Sequence, residues 1–262
     1  MSSSSVRPVA LVTGPTSGLG AGFANKLASQ GYDLILVARD VERLEDLAGD
    51  LERRFGAQSE VLPTDLATQA GREAIAQRLE KGVQFLVNNA GVGLVGEFWT
   101  IDPIDLQRQL DLNVTAVMQL TRAALPPMVA AAKGRIVNVA SVAGLVAGRG
   151  STYSASKAYV VSFTEGLAGG LEGTGVQIQA LCPGLVHTEF HERAGLELAS
   201  LPKMLWLNVD HVVATSLEDL ENGKVISIPG LQYKALTTVS RILPRGVARR
   251  VGSIVGKGRG RT

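Results

Sequence analysis

Short apolar runs rich in Val, Ile and Leu recur along the chain at 9–13, 33–38, 84–87, 135–139, 176–182 and 225–228, with a weaker one at 59–62. Each is strand-sized and apolar at nearly every position, the pattern of a strand covered on both faces. Between them, segments near 18–30, 41–55, 68–81, 103–130, 152–172 and 208–221 carry apolar residues at helical spacing. Gly31, Gly56, Gly82 and Gly223 stand where those helices would stop. Strand and helix alternate throughout, which predicts parallel pairing through right-handed crossovers. The expectation is an α/β single domain, a doubly wound parallel sheet of about seven strands with helices on both faces.

At 262 residues and 45% hydrophobic, the chain can bury one large core. Residues 9–240 are read as the domain, 1–8 as a flexible N-terminus and 241–262 as a basic C-terminal helix or tail. No apolar run approaches the ~20 residues of a membrane-spanning helix, and the start lacks a long apolar signal core, so a cytoplasmic protein is expected. The single cysteine, Cys182, permits no internal disulfide and no Cys-rich metal site; it reads as a small buried hydrophobe. The net charge of +2 hides an asymmetry: Arg241, Arg245, Arg249, Arg250, Lys257, Arg259 and Arg261 stand in the last 22 residues without one acid. The remainder carries 19 basic against 24 acidic residues. Such a tail has the charge to touch acidic lipid or nucleic acid, although its ordinary reading is a solvated helix end and a mobile terminus. No nucleic-acid partner is expected; a peripheral membrane contact is kept as an alternative.

Directly after the first strand comes Thr13-Gly14-Pro15-Thr16-Ser17-Gly18-Leu19-Gly20, within which a helix opens. Glycines there let the backbone approach a pyrophosphate, held by free amides at the positive end of the helix. The spacing is Gly-x-x-x-Gly-x-Gly rather than GxGxxG, and alone it is also compatible with a structural turn. The second strand ends at Arg39, where dinucleotide folds choose their cofactor: an acid bonds a ribose hydroxyl, whereas Arg forks onto a 2′-phosphate. NADP(H) is therefore favoured over NAD(H), with Asp40 as a competitor for Arg39.

Tyr153 and Lys157 lie four apart in a helical pattern, so both project from one face. A fixed ammonium favours the phenolate and brings a phenol of pKa ~10 nearer a working pH, which makes the pair suited to proton transfer. Ser141 follows the strand RIVNVA, where parallel sheets present their ligand edge, and its hydroxyl can hold a reacting oxygen. Asn88-Asn89-Ala90-Gly91 ends another strand with small and amide residues suited to close backbone approach. Asn113, a poor helix former inside the long helix at 103–130, points to a polar role or to an exposed helix position.

Together these motifs resemble the classical short-chain dehydrogenase/reductase family over nearly the whole chain. The family's TGxxxGxG stands as TGPTSGLG, its NNAG is intact, and its Ser and YxxxK elements stand as Ser141 and Tyr153 to Lys157. The resemblance implies a Rossmann-type fold and a catalytic set of Asn113, Ser141, Tyr153 and Lys157, with Asn113 ordering a proton-relay water. It implies a dinucleotide bound by Gly14, Thr16, Ser17, Gly18, Leu19 and Gly20, with Asn89, Ala90, Gly91, Tyr153 and Lys157 also in contact. Asp65 would meet the adenine with Leu66 beside it, and Pro183, Gly184, Val186 and Thr188 the nicotinamide end. Pro15 departs from the small residue common at its position. LILVARD, ALCPGLVHTEF and VISIPG resemble a bacterial branch near hydroxysteroid, long-chain ketoacyl and mycolate reductases.

The stretch 188–207 mixes apolar and charged residues and reads as a mobile substrate cap, or as a fixed surface helix; with Leu145 and Val146 it suggests an apolar substrate. His187 and His191, with Glu189 between, have a metal-compatible spacing but no third ligand, so no metal is expected. The absence of GxSxG removes a serine hydrolase. Three readings remain: a carbonyl/alcohol oxidoreductase, a non-catalytic NADP(H)-binding sensor, and a membrane-surface lipid ketoreductase. The helices at 103–130 and 152–172 offer surfaces for a homo-oligomer, dimer or tetramer.

Overall fold

The computed structural model describes residues 7–146, 151–188 and 202–242. Six long strands, β1 (Val9–Thr13), β2 (Asp33–Ala38), β3 (Ser59–Pro63), β4 (Phe85–Asn88), β5 (Gly134–Val139) and β6 (Val176–Leu181), alternate with six helices. These are α1 (Gly18–Ser29), α2 (Val41–Phe55), α3 (Gln69–Glu80), α4 (Pro103–Leu110), α5 (Ala116–Ala130) and α6 (Ser151–Gly170). A two-strand annex of β7 (Leu185–Val186) and β8 (Trp206–Leu207) comes next, then α7 (Val209–Glu221), β9 (Ile226–Ser227) and α8 (Leu231–Ile242).

The main sheet has seven strands in the order β3-β2-β1-β4-β5-β6-β9, all parallel. Because successive side chains point to opposite faces, each strand feeds two cores. Ala10, Val12, Leu34, Leu36 and Phe85 pack with Phe23, Leu27, Leu44 and Val213 of α1, α2 and α7. Leu11, Ile35, Val37 and Leu86 pack with Ile75, Leu79, Leu120 and Met128 of α3 and α5. This is the doubly wound Rossmann-type arrangement that the uninterrupted apolar runs imply. Its strand order reverses between β1 and β4, and a crevice opens there at the carboxyl ends of the strands.

The four glycines read as terminators all have positive φ, between 62° and 92°. At Gly56 this lets the backbone amide turn back to Glu52 O at 2.8 Å and close α2. A polar chain crosses the interior where β4 meets β5: Asn88 donates to Asn138 Oδ1 at 2.8 Å and to Thr121 Oγ1 at 3.0 Å, and Asn138 donates to Thr164 Oγ1 at 3.1 Å.

Several expectations need correction. The helix anticipated over 103–130 is two helices, α4 and α5, joined by a π turn over Asp111–Thr115 that contains Asn113. Helix α8 has no counterpart in the sequence reading, which places a basic helix further on; residues 243–262 lie outside the described residues. Arg7 and Pro8, assigned to a flexible terminus, belong with the domain. Arg7 donates to Tyr32 O and Gly56 O, both at 3.2 Å, and its Nε lies 3.1 Å from Asp33 Oδ1. The cap falls mostly on residues 189–201, outside the described residues; of its remainder, Trp206 and Leu207 pair with Leu185 and Val186. Among the described residues no helix is long and apolar enough to cross a membrane.

Candidate active site

The glycine turn leaves β1 at Thr13 and enters α1 at Gly18. Gly14 and Gly18 take φ of +63° and +54°, the left-handed region that glycine enters without strain. Gly20 is required by space instead, since a Cβ there would collide with Gly14 O and lie 2.5 Å from Asn89 Nδ2. Ser17 precedes α1 without a side-chain cap, and no acid lies in the first turn, so the amide end of α1 remains open to an outside anion. Thr13 Oγ1 accepts from the amides of Asn89 and Ala90, each at 2.9 Å, and the Asn89 side chain donates to Thr13 O at 2.9 Å and Gly14 O at 3.0 Å. The Asn89 amide therefore works as a brace for the glycine turn.

One residue missed in the sequence is Arg43, whose Nη2 donates to Thr16 O at 2.7 Å. It lies in the first turn of α2, where the helix dipole disfavours a cation, and that anomaly was the signal available. Asp40, expected as a competitor for Arg39, caps α2 by accepting from Arg43 N at 3.2 Å. Arg39 itself is exposed just past β2. A dinucleotide fits these residues: three glycines where a Cβ would intrude or strain, an uncapped helix end and an added cation meet at one turn.

The expected adenine contacts are more engaged than the motif suggested. Asp65 Oδ2 lies 3.1 Å from Arg108 Nη2, and Oδ1 accepts from Ala67 N at 3.0 Å. Leu66 is buried in the core, and its carbonyl accepts from Arg72 Nη1 at 3.2 Å.

At the other end of the crevice, α6 brings Tyr153 and Lys157 together. Both are buried, and Lys157 Nζ lies 5.8 Å from the centroid of the Tyr153 ring. The ammonium donates to Val139 O, the last carbonyl of β5, at 2.8 Å. Burial pulls the Lys157 pKa from 10.5 to about 8, with the Cys182 thiol opposing weakly. Ser141 opens the short 3-10 turn Val142–Gly144, its Oγ accepting from Ala143 N at 3.1 Å; an oxygen used as acceptor keeps its proton to donate. That turn is pressed against α6, since a Cβ on Gly144 would lie 2.6 Å from the Lys157 carbonyl carbon. Gly144 is thus a second residue that sequence reasoning missed.

Asn113 is buried rather than exposed. Its Oδ1 accepts from Val92 N and its Nδ2 donates to Val92 O, both at 2.9 Å, locking the loop after β4. Gly91 passes between this amide and the lysine, its missing Cβ 3.2 Å from Asn113 Oδ1 and 3.5 Å from Lys157 Nζ. Asn113 stands in a π turn, a feature that recurs at functional sites.

The run from Pro183 to Thr188 spans the crevice. Pro183 O accepts from Val142 N at 3.0 Å, and Thr188 Cγ2 lies 2.9 Å from where a Cβ of Gly18 would be. Val186 is buried in the core. The His187 ring stacks on Trp206 at 4.5 Å, while His191 and Glu189 lie outside the described residues. Among the described residues no group of three His, Cys, Asp or Glu could hold a metal. An open hollow of about 280 Å³ between β9 and α8, lined by Asp219, Lys224 and Thr237 among others, shares no residue with this crevice.

The comparisons with known proteins agree with this geometry. The sequence profile of the family described as short chain dehydrogenase matches residues 8–198. Sulfoacetaldehyde reductase 2 of Chromohalobacter salexigens is 37% identical over 188 residues, 70% of this chain and 74% of that protein. A short-chain dehydrogenase from Sphingobium yanoikuyae, solved in complex with NADPH, superposes with a TM-score of 0.82 at 35% identity, covering 89% of this chain and 93% of that one. A short chain dehydrogenase/reductase from Burkholderia phymatum, solved with NAD, gives 0.77 at 30% identity over 88% and 92%. With a family profile matched over most of its length, a relative 37% identical and a solved member superposing over most of both chains, the chain belongs to the short-chain dehydrogenase/reductase family of oxidoreductases.

Proposed function

We propose that this protein is a cytoplasmic NADP(H)-dependent enzyme interconverting a carbonyl and a secondary alcohol on an apolar substrate, with Tyr153 as the proton-transferring residue. The observation that carries the reading is the buried ammonium of Lys157, anchored by Val139 O at 2.8 Å beside the Tyr153 ring. A buried cation held by one carbonyl is costly to fold and is kept where its charge is used.

The bound dinucleotide would supply or accept the hydride. Tyr153 would pass its phenolic proton to the substrate oxygen as negative charge develops there. Ser141 would donate to that same oxygen, its hydroxyl aimed by the bond from Ala143 N. Lys157 would stabilise the negative charge that Tyr153 acquires, and its two remaining N–H bonds would reach ribose hydroxyls. Asn113, by clamping Val92, would hold Gly91 close to the lysine and support a relay water through its backbone. Arg39, exposed past β2, would fork onto the 2′-phosphate, with Arg43 adding charge at Thr16. Leu145 and Val146, half-buried after Ser141, would offer an apolar wall to the substrate.

A second reading concerns placement. Helix α8 exposes Leu231, Leu236 and Val239, with Met204 also exposed, and the chain beyond it carries six further cations without an acid. This combination suits the surface of an anionic membrane. The exposed side chains of Met118 and Tyr159 on α5 and α6 would serve a second copy of the chain in a dimer or tetramer.

With NADPH and a panel of aliphatic and aromatic carbonyls, Tyr153→Phe is expected to lose ~10²-fold or more of the wild-type turnover. Wild-type rates in the variant would discard the assignment, and NADPH binding without turnover of any panel member would favour the sensor. Arg39→Ala should lower the preference for NADPH over NADH, read from the two Kd values, by roughly ten- to a hundredfold; an unchanged ratio would remove Arg39 from the cofactor site. Lys157 titrates near 8 when folded and 10.5 when unfolded, so the unfolded chain binds more protons between these values and stability rises with pH across that window. The rise should be about 2 kcal/mol in urea unfolding between about pH 7.5 and pH 10, and be absent in Lys157→Met; equal rises in both would show that the lysine is not responsible. Sedimentation with anionic phosphatidylserine vesicles should bind the full chain and lose the chain lacking 241–262, whereas equal binding by both would end the membrane reading.

A further inference from the structure

Tyr233, on α8, belongs to none of the motifs of the dinucleotide site, yet it is buried and reaches the run that spans the crevice. Its hydroxyl donates to Leu205 O at 2.6 Å and accepts from Leu185 N at 2.9 Å. Its ring lies directly on Gly184, where a Cβ would overlap the Tyr233 Cζ atom. Gly184 has no positive φ, so glycine is needed there to admit the ring and not to bend the chain.

Leu185 opens the first annex strand and Leu205 immediately precedes the second, and the two strands pair, Leu185 with Trp206 and Val186 with Leu207. A single phenol therefore ties together the starts of both annex strands. The run it holds is fixed at one end by Pro183 to the Ser141 turn and meets the glycine turn at the other through Thr188 and Gly18. Between those ends the phenol is bonded to the run at Leu185, and so bears on its height above the crevice.

We infer that Tyr233 is a positioning residue that, through the β7–β8 annex, sets the 183–188 run against the nicotinamide end of the site; this rests on the NADP(H) reading. Burial pushes the Tyr233 pKa up, against the opposing bond from Leu185 N, so the hydroxyl stays protonated and able to donate to Leu205. Tyr233→Phe keeps the ring over Gly184 and removes both bonds.

Two ligands separate positioning from general loosening: NADPH, and adenosine 2′,5′-bisphosphate, which lacks the nicotinamide half. In Tyr233→Phe the NADPH Kd is expected to weaken about five- to tenfold, the scale of one to two lost hydrogen bonds, while the bisphosphate Kd stays within about twofold. In Tyr233→Phe the Leu185 amide should exchange with solvent deuterium about tenfold faster than in the wild-type protein, where it should exchange as slowly as core strand amides. Equal weakening of both ligands, unchanged exchange at Leu185 in the variant, or fast exchange there in the wild-type protein would each overturn the assignment. Should the wild-type protein bind neither ligand, the NADP(H) reading fails by itself, and amide exchange at Leu185 still decides the role of Tyr233.

Discussion

Where β1 and β4 end side by side, the chain departs in two directions, and one hydroxyl holds the parting ends together. Thr13 Oγ1 donates to Val87 O at 3.3 Å and receives the amides of Asn89 and Ala90. A strand end buried on both faces must satisfy its polar groups locally, because no water reaches them. The glycine turn and the Asn89–Gly91 loop are in this way two sides of one hydrogen-bonded unit. The open amide end of α1 on one side, and the Gly91 passage beside Lys157 on the other, inherit their positions from that unit.

The site is made from carbonyls and amides at the ends of strands more than from free side chains. Val139 O holds the lysine, Val92 is held through its main chain by Asn113, and Pro183 O holds the turn that carries Ser141. Placement is therefore as rigid as the sheet itself, which suits chemistry whose main demand on the protein is alignment. The lysine is the exception in energetic terms, since desolvation works against its charge and lowers fold stability locally.

Much of this was legible because parallel strands buried on both faces write themselves as continuous apolar runs. All seven sheet strands coincide with such runs to within a residue or two, including the weak β3. What escaped depended on three-dimensional neighbours. A π turn leaves helical backbone on both sides and carries no residue signature of its own, so 103–130 reads as one helix when Asn113 marks a break. The annex β7–β8 has two residues per strand, too few for any pattern, and α8 exposes apolar residues where an amphipathic rule expects polar ones. Motifs located the glycine turn and the Ser141, Tyr153 and Lys157 segments, while Gly144 and Tyr233 carry no signature except in contact with their partners and Arg43 shows only as a cation in the first turn of a helix.

The chain of amides and hydroxyls between β4 and β5 has a consequence for how the sheet can assemble. Asn88 and Asn138 are aligned partners across the parallel ladder, and the bond joining their side chains is made only in that alignment. Hydrophobic strands are interchangeable under a two-residue slide, because one valine packs much like the next. Sliding β5 against β4 would strand two buried amides, at a cost of about 1–3 kcal/mol for each orphaned group. The pair acts as a key cut for a single lock position, and since Asn88 leads into the Asn89–Gly91 loop and Val139 grips the lysine, a mis-threaded sheet would not bring that loop and the lysine level with each other.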